Sequence, residues 1–266
     1  MLIDTHCHLD APEFEDDRDA VIEAAVAQKV QAIVIPAVAR HNWAAVQALA
    51  ESRPGLYFAL GIHPLYVDEA ADEDLKALRQ QVESIRSHPA FVGIGEIGLD
   101  FFVPGLDLTR QQHVFEQQLK LARDLELPVI LHTRRAVDAV SKQLRRWRPP
   151  GGIAHAFNGS PQQAGQLIDL GMALGFGGAM TFSRARNIRR LASSLPAESL
   201  VLETDAPDIA PAWVHPGRNQ PSETARIAIE LAELRDLPPE TLSRQTAANA
   251  ARVLPALRPW VQAAQG

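Results

Sequence analysis

Short apolar runs alternate with longer amphipathic stretches along this chain. The runs fall at 2–8 (LIDTHCH), 31–37 (QAIVIPA), 56–63 (LYFALGIH), 91–100 (FVGIGEIGLD), 128–133 (PVILHT), 152–157 (GIAHAF), 171–179 (GMALGFGGA) and 200–207 (LVLETDAP). Most are near-continuous in Val, Ile, Leu, Ala and Gly, the pattern of parallel strands covered by helices. Segments with helical spacing lie between them, including 13–28, 72–87, 108–125 and 134–147. Asp72 and Ser160-Pro161 have the chemistry of helix N-caps, while Pro54-Gly55, His88-Pro89, Pro149-Pro150-Gly151 and Gly171 mark exits.

Strand–helix alternation repeated eight times predicts a (β/α)8 TIM barrel. The length of 266 residues fits the ~250 such a barrel takes. A doubly wound open sheet has the same alternation but cannot bring its two edge strands together. No composition shift or Ser/Gly-rich linker divides the chain, so residues 1–266 are expected to form one domain.

Composition narrows the picture only slightly. A formal net charge of −6 and a pI near 5.8 argue against a protein that coats nucleic acid electrostatically. They leave open an enzyme that admits one phosphodiester end to a local pocket. No run reaches the ~18 apolar residues of a membrane span, and no cationic leader precedes the first strand. The single cysteine excludes an internal disulfide and fits a reducing cytoplasm, the expected location. Cys7 lies between His6 and His8, so it should face the other side of the strand as a small buried hydrophobe.

The chemistry collects at strand ends. His6, His8, Glu96, His132, His155 and Asp205 each close an apolar run, and strand ends line the mouth of a barrel, where loops build the site. His6 and His8, at i and i+2, project from one face and can bind one ion. A lone histidine is usually a surface or satisfied core residue; joint placement is what singles these out. His41, His88, His113 and His215 fall in loops or helices and are assigned to structure or solvent. Glu96 sits among Gly93, Gly95 and Gly98, which are expected to let backbone approach closely and to leave room for a carboxylate shared by two ions, typically ~3.5–4 Å apart. Its bland alternative is a pair with an arginine. Asp205 suits a ligand that also takes a proton from water, its alternative being a helix N-cap. Glu203 shares that strand face one layer deeper.

Other groups gather around this centre. His63 ends the third strand and is expected to contact phosphate or donate a proton, with a supporting hydrogen bond as the alternative. Arg218 and Asn219 after the eighth strand, and Arg134 and Arg135 after the fifth, are candidate phosphate contacts; each arginine has a solvated reading too. Trp213 and Phe101-Phe102 could stack on an unpaired base or pack on the rim. Arg145-Arg146-Trp147-Arg148 ends a helix on the far side, where cations suit the helix C-terminus.

The motifs DTHCHLD (4–10), GIHP (61–64), GEIGLDFF (95–102), LTRQQHVFEQQLKLA (108–122), LPVILHTR (127–134), AHAFNGS (154–160), LETDAPDIAP (202–211), RNQP (218–221) and NAARVL (249–254) resemble, in this order, the TatD family of metal-dependent hydrolases, within the amidohydrolase-like barrels. The resemblance implies two divalent ions, Mg, Mn or Zn. His6, His8 and Asp205 would hold one, His132 and His155 the other, and Glu96 would bridge. It implies Asp205 as general base and a DNA substrate, including trimming of 3′ ends. Three departures stand out: AFNGS for the family's frequent CFSGS, LDFF for LDYY, and a longer loop after Asp205. A small phosphoester or amide metabolite is the alternative substrate, and a non-catalytic metal scaffold the alternative role. No membrane partner is expected, and the chain should be a monomer or weak oligomer.

Overall fold

The structure is a computed structural model and describes residues 1–263. Strands β1 (Leu2–Asp4), β2 (Val30–Pro36), β3 (Leu56–Leu60), β4 (Phe91–Asp100), β5 (Val129–Arg134), β6 (Gly152–Ala154), β7 (Met172–Phe176) and β8 (Leu200–Leu202) pair in chain order. Every ladder is parallel. Helices α1 (Arg18–Ala27), α2 (Trp43–Ser52), α3 (Asp72–Ile85), α4 (Leu108–Asp124), α5 (Val137–Trp147), α6 (Pro161–Asp169), α7 (Arg186–Ser194) and α8 (Thr224–Leu234) follow their strands. This is the (β/α)8 barrel. Among the described residues no helix is long and apolar enough to cross a membrane.

The seam between β8 and β1 is where expectation and structure differ. Runs 2–8 and 200–207 were expected to be strand throughout, yet the regular strands stop at Asp4 and Leu202. The Asp4 carboxylate occupies groups that a ladder would use: Oδ1 accepts from the backbone N–H of His6 at 3.2 Å and of Thr204 at 3.0 Å. Oδ2 accepts from the Thr204 hydroxyl at 2.6 Å. Beyond this clasp Asp205 N–H donates to His6 C=O and His8 N–H to Ala206 C=O, both at 2.8 Å, and Cys7 bridges Ala206. Closure therefore runs through the very residues that carry candidate ligands. Cys7 is fully buried among apolar side chains, as expected of a small hydrophobe.

Two apolar layers hold the fold. Between sheet and helices lies the larger, which includes Phe14, Phe58, Phe115 and Phe176. Inside the barrel, Ile3, Ala32, Val34, Ala59, Ile130, Ile153, Ala173 and Val201 meet Ala247, Ala250 and Val253 of a further helix, α9 (Pro239–Val253). That helix plugs the end opposite the strand C-termini, and α10 (Arg258–Ala263) follows it. Truncating a fully buried residue such as Ile153 to Ala would cost ~2–5 kcal/mol.

Local signals held unevenly. Ser160 accepts from Gln163 N–H at 3.1 Å and the Gln163 side chain accepts from Ser160 N–H at 2.9 Å, a reciprocal cap for α6. Asp72 is the first residue of α3 rather than its cap. Its carboxylate is held by Arg110 at 2.6 Å, and Asp74 accepts from Ala71 N–H instead.

Candidate metal centre

Six side chains converge at the strand C-termini around one carboxylate. His6 Nε2 lies 3.3 Å from His8 Nε2, 3.2 Å from Glu96 Oε2 and 3.4 Å from Asp205 Oδ1. His8 Nε2 is 3.5 Å from Glu96 Oε2 and 3.7 Å from Asp205 Oδ1. The other Glu96 oxygen, Oε1, faces His155 Nε2 at 2.8 Å and His132 Nδ1 at 3.0 Å, and those two nitrogens are 3.3 Å apart. His63 Nε2 joins this second group, 3.3 Å from Glu96 Oε1 and 3.2 Å from His132 Nδ1. The rings of His6 and His155 stack at 3.9 Å between the two groups. Glu96 is 1% exposed.

This donor set fits divalent cations. Nitrogen lone pairs brought within 3.3 Å of each other repel unless a cation or a shared proton lies between them. Imidazole and carboxylate together suit Zn, Mn, Fe, Ni or Mg. Charge points the same way. Burial works against a cation on His8 and His155, yet Glu96 raises them to about 9 and about 10. Burial, with His155 beside it, lowers His6 to about 3. Burial opposes ionisation of Glu96, but His155, His63 and His6 hold its carboxyl well below the usual range. Protons on His8 and His155 thus supply counter-charge that a divalent ion would replace.

Neighbouring groups set the ring tautomers of His132 and His63, and several of those groups were not singled out from sequence. Asp100 Oδ2 takes the Nε2–H of His132 at 2.9 Å, which leaves the Nδ1 lone pair free for an ion. Asp100 Oδ1 is itself fixed by the N–H groups of Phe102 and Val103. From α4, Gln111 brackets the Asp100 backbone and Gln118 brackets that of Ile62, next to His63. His63 Nδ1 accepts from Leu65 N–H at 3.2 Å. A neutral His63 therefore carries its proton on Nε2, as a donor aimed at the centre rather than a lone pair for metal. Glu203 accepts the N–H of Ala156, which follows His155 in a left-handed conformation at φ 44°. Gly175 leaves the space: a Cβ there would overlap the Glu203 carboxylate. Asp205 is left-handed too, at φ 58°, a strain that surrounding contacts must hold at functional positions.

The remaining candidates divide. Gly93, Gly95 and Gly98 allow the close backbone approach expected of them. A Cβ on any of them would meet β5 or the residue before it, at the Pro128 carbonyl, Ile130 or the His132 carbonyl. They seat β4 tightly against β5. Arg218 makes a two-pronged ion pair with Asp17, at 2.8 and 2.6 Å, over the Phe14 ring, and so ties two loops together. Asn219 is fully buried, donating to the carbonyls of Thr204 at 2.9 Å and Asp208 at 2.8 Å. It braces the segment bearing Asp205 and offers no free group to substrate. Trp213 donates to Glu223 and has the guanidinium of Arg226 over one face of its ring at 4.1 Å. Arg134 is exposed on the rim, stacked on Phe102 at 3.9 Å.

An imidazole–carboxylate cluster in the mouth of a (β/α)8 barrel is the working part of a metal-dependent hydrolase. The chain belongs to the TatD related DNase family, whose sequence profile matches residues 3–255. It is 42% identical over 243 residues to the uncharacterized metal-dependent hydrolase YjjV of Escherichia coli (strain K12), covering 91% of this chain and 93% of the relative. The crystal structure of that protein superposes with a TM-score of 0.91 at 39% identity, over 96% of this chain and 98% of that one. A 3′-5′ ssDNA/RNA exonuclease TatD of Erwinia billingiae is 34% identical over 260 residues, 95% and 98% of the two chains.

Proposed function

We propose that this hydrolase is a phosphodiesterase that shortens single-stranded nucleic acid, DNA in particular, from its 3′ end. The observation that carries the reading is the division of Glu96: Oε2 faces His6 and His8 while Oε1 faces His132 and His155. A carboxylate split between two nitrogen sets suits two ions. His6, His8 and Asp205 would hold one, His132 and His155 the other, with Glu96 shared. Bound there, divalent ions would acidify water and draw charge from phosphoryl oxygens.

The chain's own groups do the rest. Asp205 accepts the proton of the attacking water as its oxygen closes on phosphorus, and burial raises this carboxyl's pKa, which suits a base. His63 offers Nε2–H to a phosphoryl or leaving oxygen. The P–O bond to the sugar breaks, releasing a nucleotide and a strand one unit shorter. The exonuclease relative supports this substrate class. So does the depth of the cluster: His6 and Glu96 are buried, so a phosphate must descend to them, which a strand end does more readily than a duplex.

The test is cleavage of a 3′-overhang DNA oligonucleotide by metal-stripped protein resupplied with Mg²⁺, Mn²⁺ or Zn²⁺. Stepwise shortening that needs metal and falls ~10²–10⁴-fold in Asp205→Asn is expected. Intact DNA beside hydrolysis of bis(p-nitrophenyl) phosphate would move the substrate to small phosphoesters. Near-normal rates in Asp205→Asn would remove it as the base.

A further inference from the structure

The rim around this centre is electrically lopsided. The loop after β1, residues 5–17, carries Asp10, Glu13, Glu15, Asp16 and Asp17 with no lysine or arginine. From the far side of the mouth round toward the seam, the segments following β5, β6 and β7 (135–136, 155–160 and 177–185) contain no aspartate or glutamate. There Arg134, Arg135 and Arg184 stand exposed, with Arg186 at the start of α7. A protein of net charge −6 thus presents an acid-free arc of exposed arginines, and that arc borders His132 and His155.

Pairing sharpens the contrast. Other rim arginines are neutralised: Arg40 by Asp74 at 2.8 Å, Arg110 by Asp72 at 2.6 Å and Arg218 by Asp17 at 2.6 Å. Among the described residues, Arg134, Arg135, Arg184 and Arg186 have no carboxylate within 4.0 Å. Two of them are nonetheless held in place. Phe102, 44% exposed after β4, lies under the guanidinium of Arg134 at 3.9 Å and under that of Arg135 at 4.6 Å. Stacking on a ring orders a guanidinium without consuming its N–H donors. A surface that orders two cations and withholds carboxylates from them is preorganised for an anion with several oxygens.

The geometry points to a track for the sugar–phosphate backbone of single-stranded nucleic acid over the loops that follow β5, β6 and β7. The Arg134–Arg135 pair on Phe102 grips a phosphate close to the metal centre, and Arg184 and Arg186 meet the backbone farther along. The loop after β1, rich in acids, offers the strand no such contacts, so the strand lies on the side of the centre that follows β5, β6 and β7. Phe102 positions the arginines and is not itself an open platform for a base. This inference rests on the nucleic-acid reading above.

The experiment is fluorescence anisotropy of a labelled single-stranded oligonucleotide with metal-stripped enzyme across a salt series. Bis(p-nitrophenyl) phosphate hydrolysis by the metal-loaded wild type runs in parallel. Each phosphate contact on a single strand contributes about 0.7 to the slope of log affinity against log salt. Arg134→Ala/Arg135→Ala should weaken binding about tenfold or more and flatten the slope by about 1.4, with melting temperature unchanged. The Arg134→Lys/Arg135→Lys variant should recover the slope but only part of the affinity, since lysine lacks the plane that stacks on Phe102. Phe102→Leu should lower affinity by a smaller factor at constant slope. Arg145→Ala, an exposed arginine on α5, should match wild type throughout. Wild-type affinity and slope in Arg134→Ala/Arg135→Ala would overturn the track and leave the nuclease reading standing. Wild-type enzyme that hydrolyses the small diester but binds no oligonucleotide would overturn both.

Discussion

The two halves of the centre are built differently. His6, His8 and Asp205 stand on the seam of the barrel, where no full ladder joins β8 to β1 and the chains are held by single bonds and the Asp4 clasp. Glu96, His132 and His155 stand on β4, at the end of β5 and just beyond β6, within a continuous run of paired strands. In the first half closing the barrel and assembling the candidate ligands are the same event. In the second, the sheet is already formed and orientation is left to side chains, Asp100 on the His132 ring and Glu203 on the turn after His155. Glu96 reaches both, and the stacked rings of His6 and His155 meet between them.

The largest effect should therefore come from Glu96→Gln. The amide replaces one acceptor oxygen by a donor, so only one half can keep a proper ligand. Elemental analysis after dialysis should show loss of one of two ions, with oligonucleotide cleavage falling by the ~10²-fold or more that defective metal and base positioning costs. Two ions retained with normal cleavage would mean that Glu96 does not join the halves.

That much of the centre was legible because its signals are local. The i, i+2 histidines on a strand, and acids closing apolar runs, can be read without knowing what lies opposite. Asp100 was passed over because its role depends on His132 of the adjacent strand, 32 residues on. Other partners were hidden for the same reason. Arg218 looked free for phosphate, but its partner Asp17 is 201 residues away and was met only when the barrel closed. The β1 and β8 runs are apolar enough for longer strands, and only the Asp4–Thr204 contact shows where they stop. The plug α9 carries the same amphipathic spacing as the outer helices, so alternation alone does not reveal its place beneath the barrel.

A middle-sized effect should separate the halves. Asp100→Asn keeps the volume but no longer holds the His132 proton on Nε2, so Nδ1 becomes a poorer ligand. Such supporting changes typically weaken metal affinity 10–100-fold. Chelator competition should show one ion loosened by that factor and the ion at His6 and His8 unchanged. Equal weakening of both would show that the halves are coupled more tightly than their separate supports imply.

The gentlest probe is pH, applied to metal-stripped protein. His8, in the first half, is raised to about 9, and His155, in the second, to about 10, against an ordinary 6.5. A histidine whose pKa is higher folded than unfolded binds its proton more tightly in the native state. Its stabilisation is complete below pH 6.5 and disappears as pH rises through the folded value. The acid Glu203, raised by burial to about 8, acts in the same direction from its ordinary 4.5 upward. Stability of the stripped protein should fall as pH climbs from 6.5 toward 9, by up to about 1.4 kcal/mol per pH unit for each histidine still protonated. NMR should show His8 releasing its proton before His155. Metal-loaded protein should lose this alkaline slope, because ions replace the two protons, and metal binding near neutral pH should release protons to the buffer. A stripped protein equally stable at pH 6.5 and pH 9 would mean that neither half depends on a cation to hold its carboxylates together.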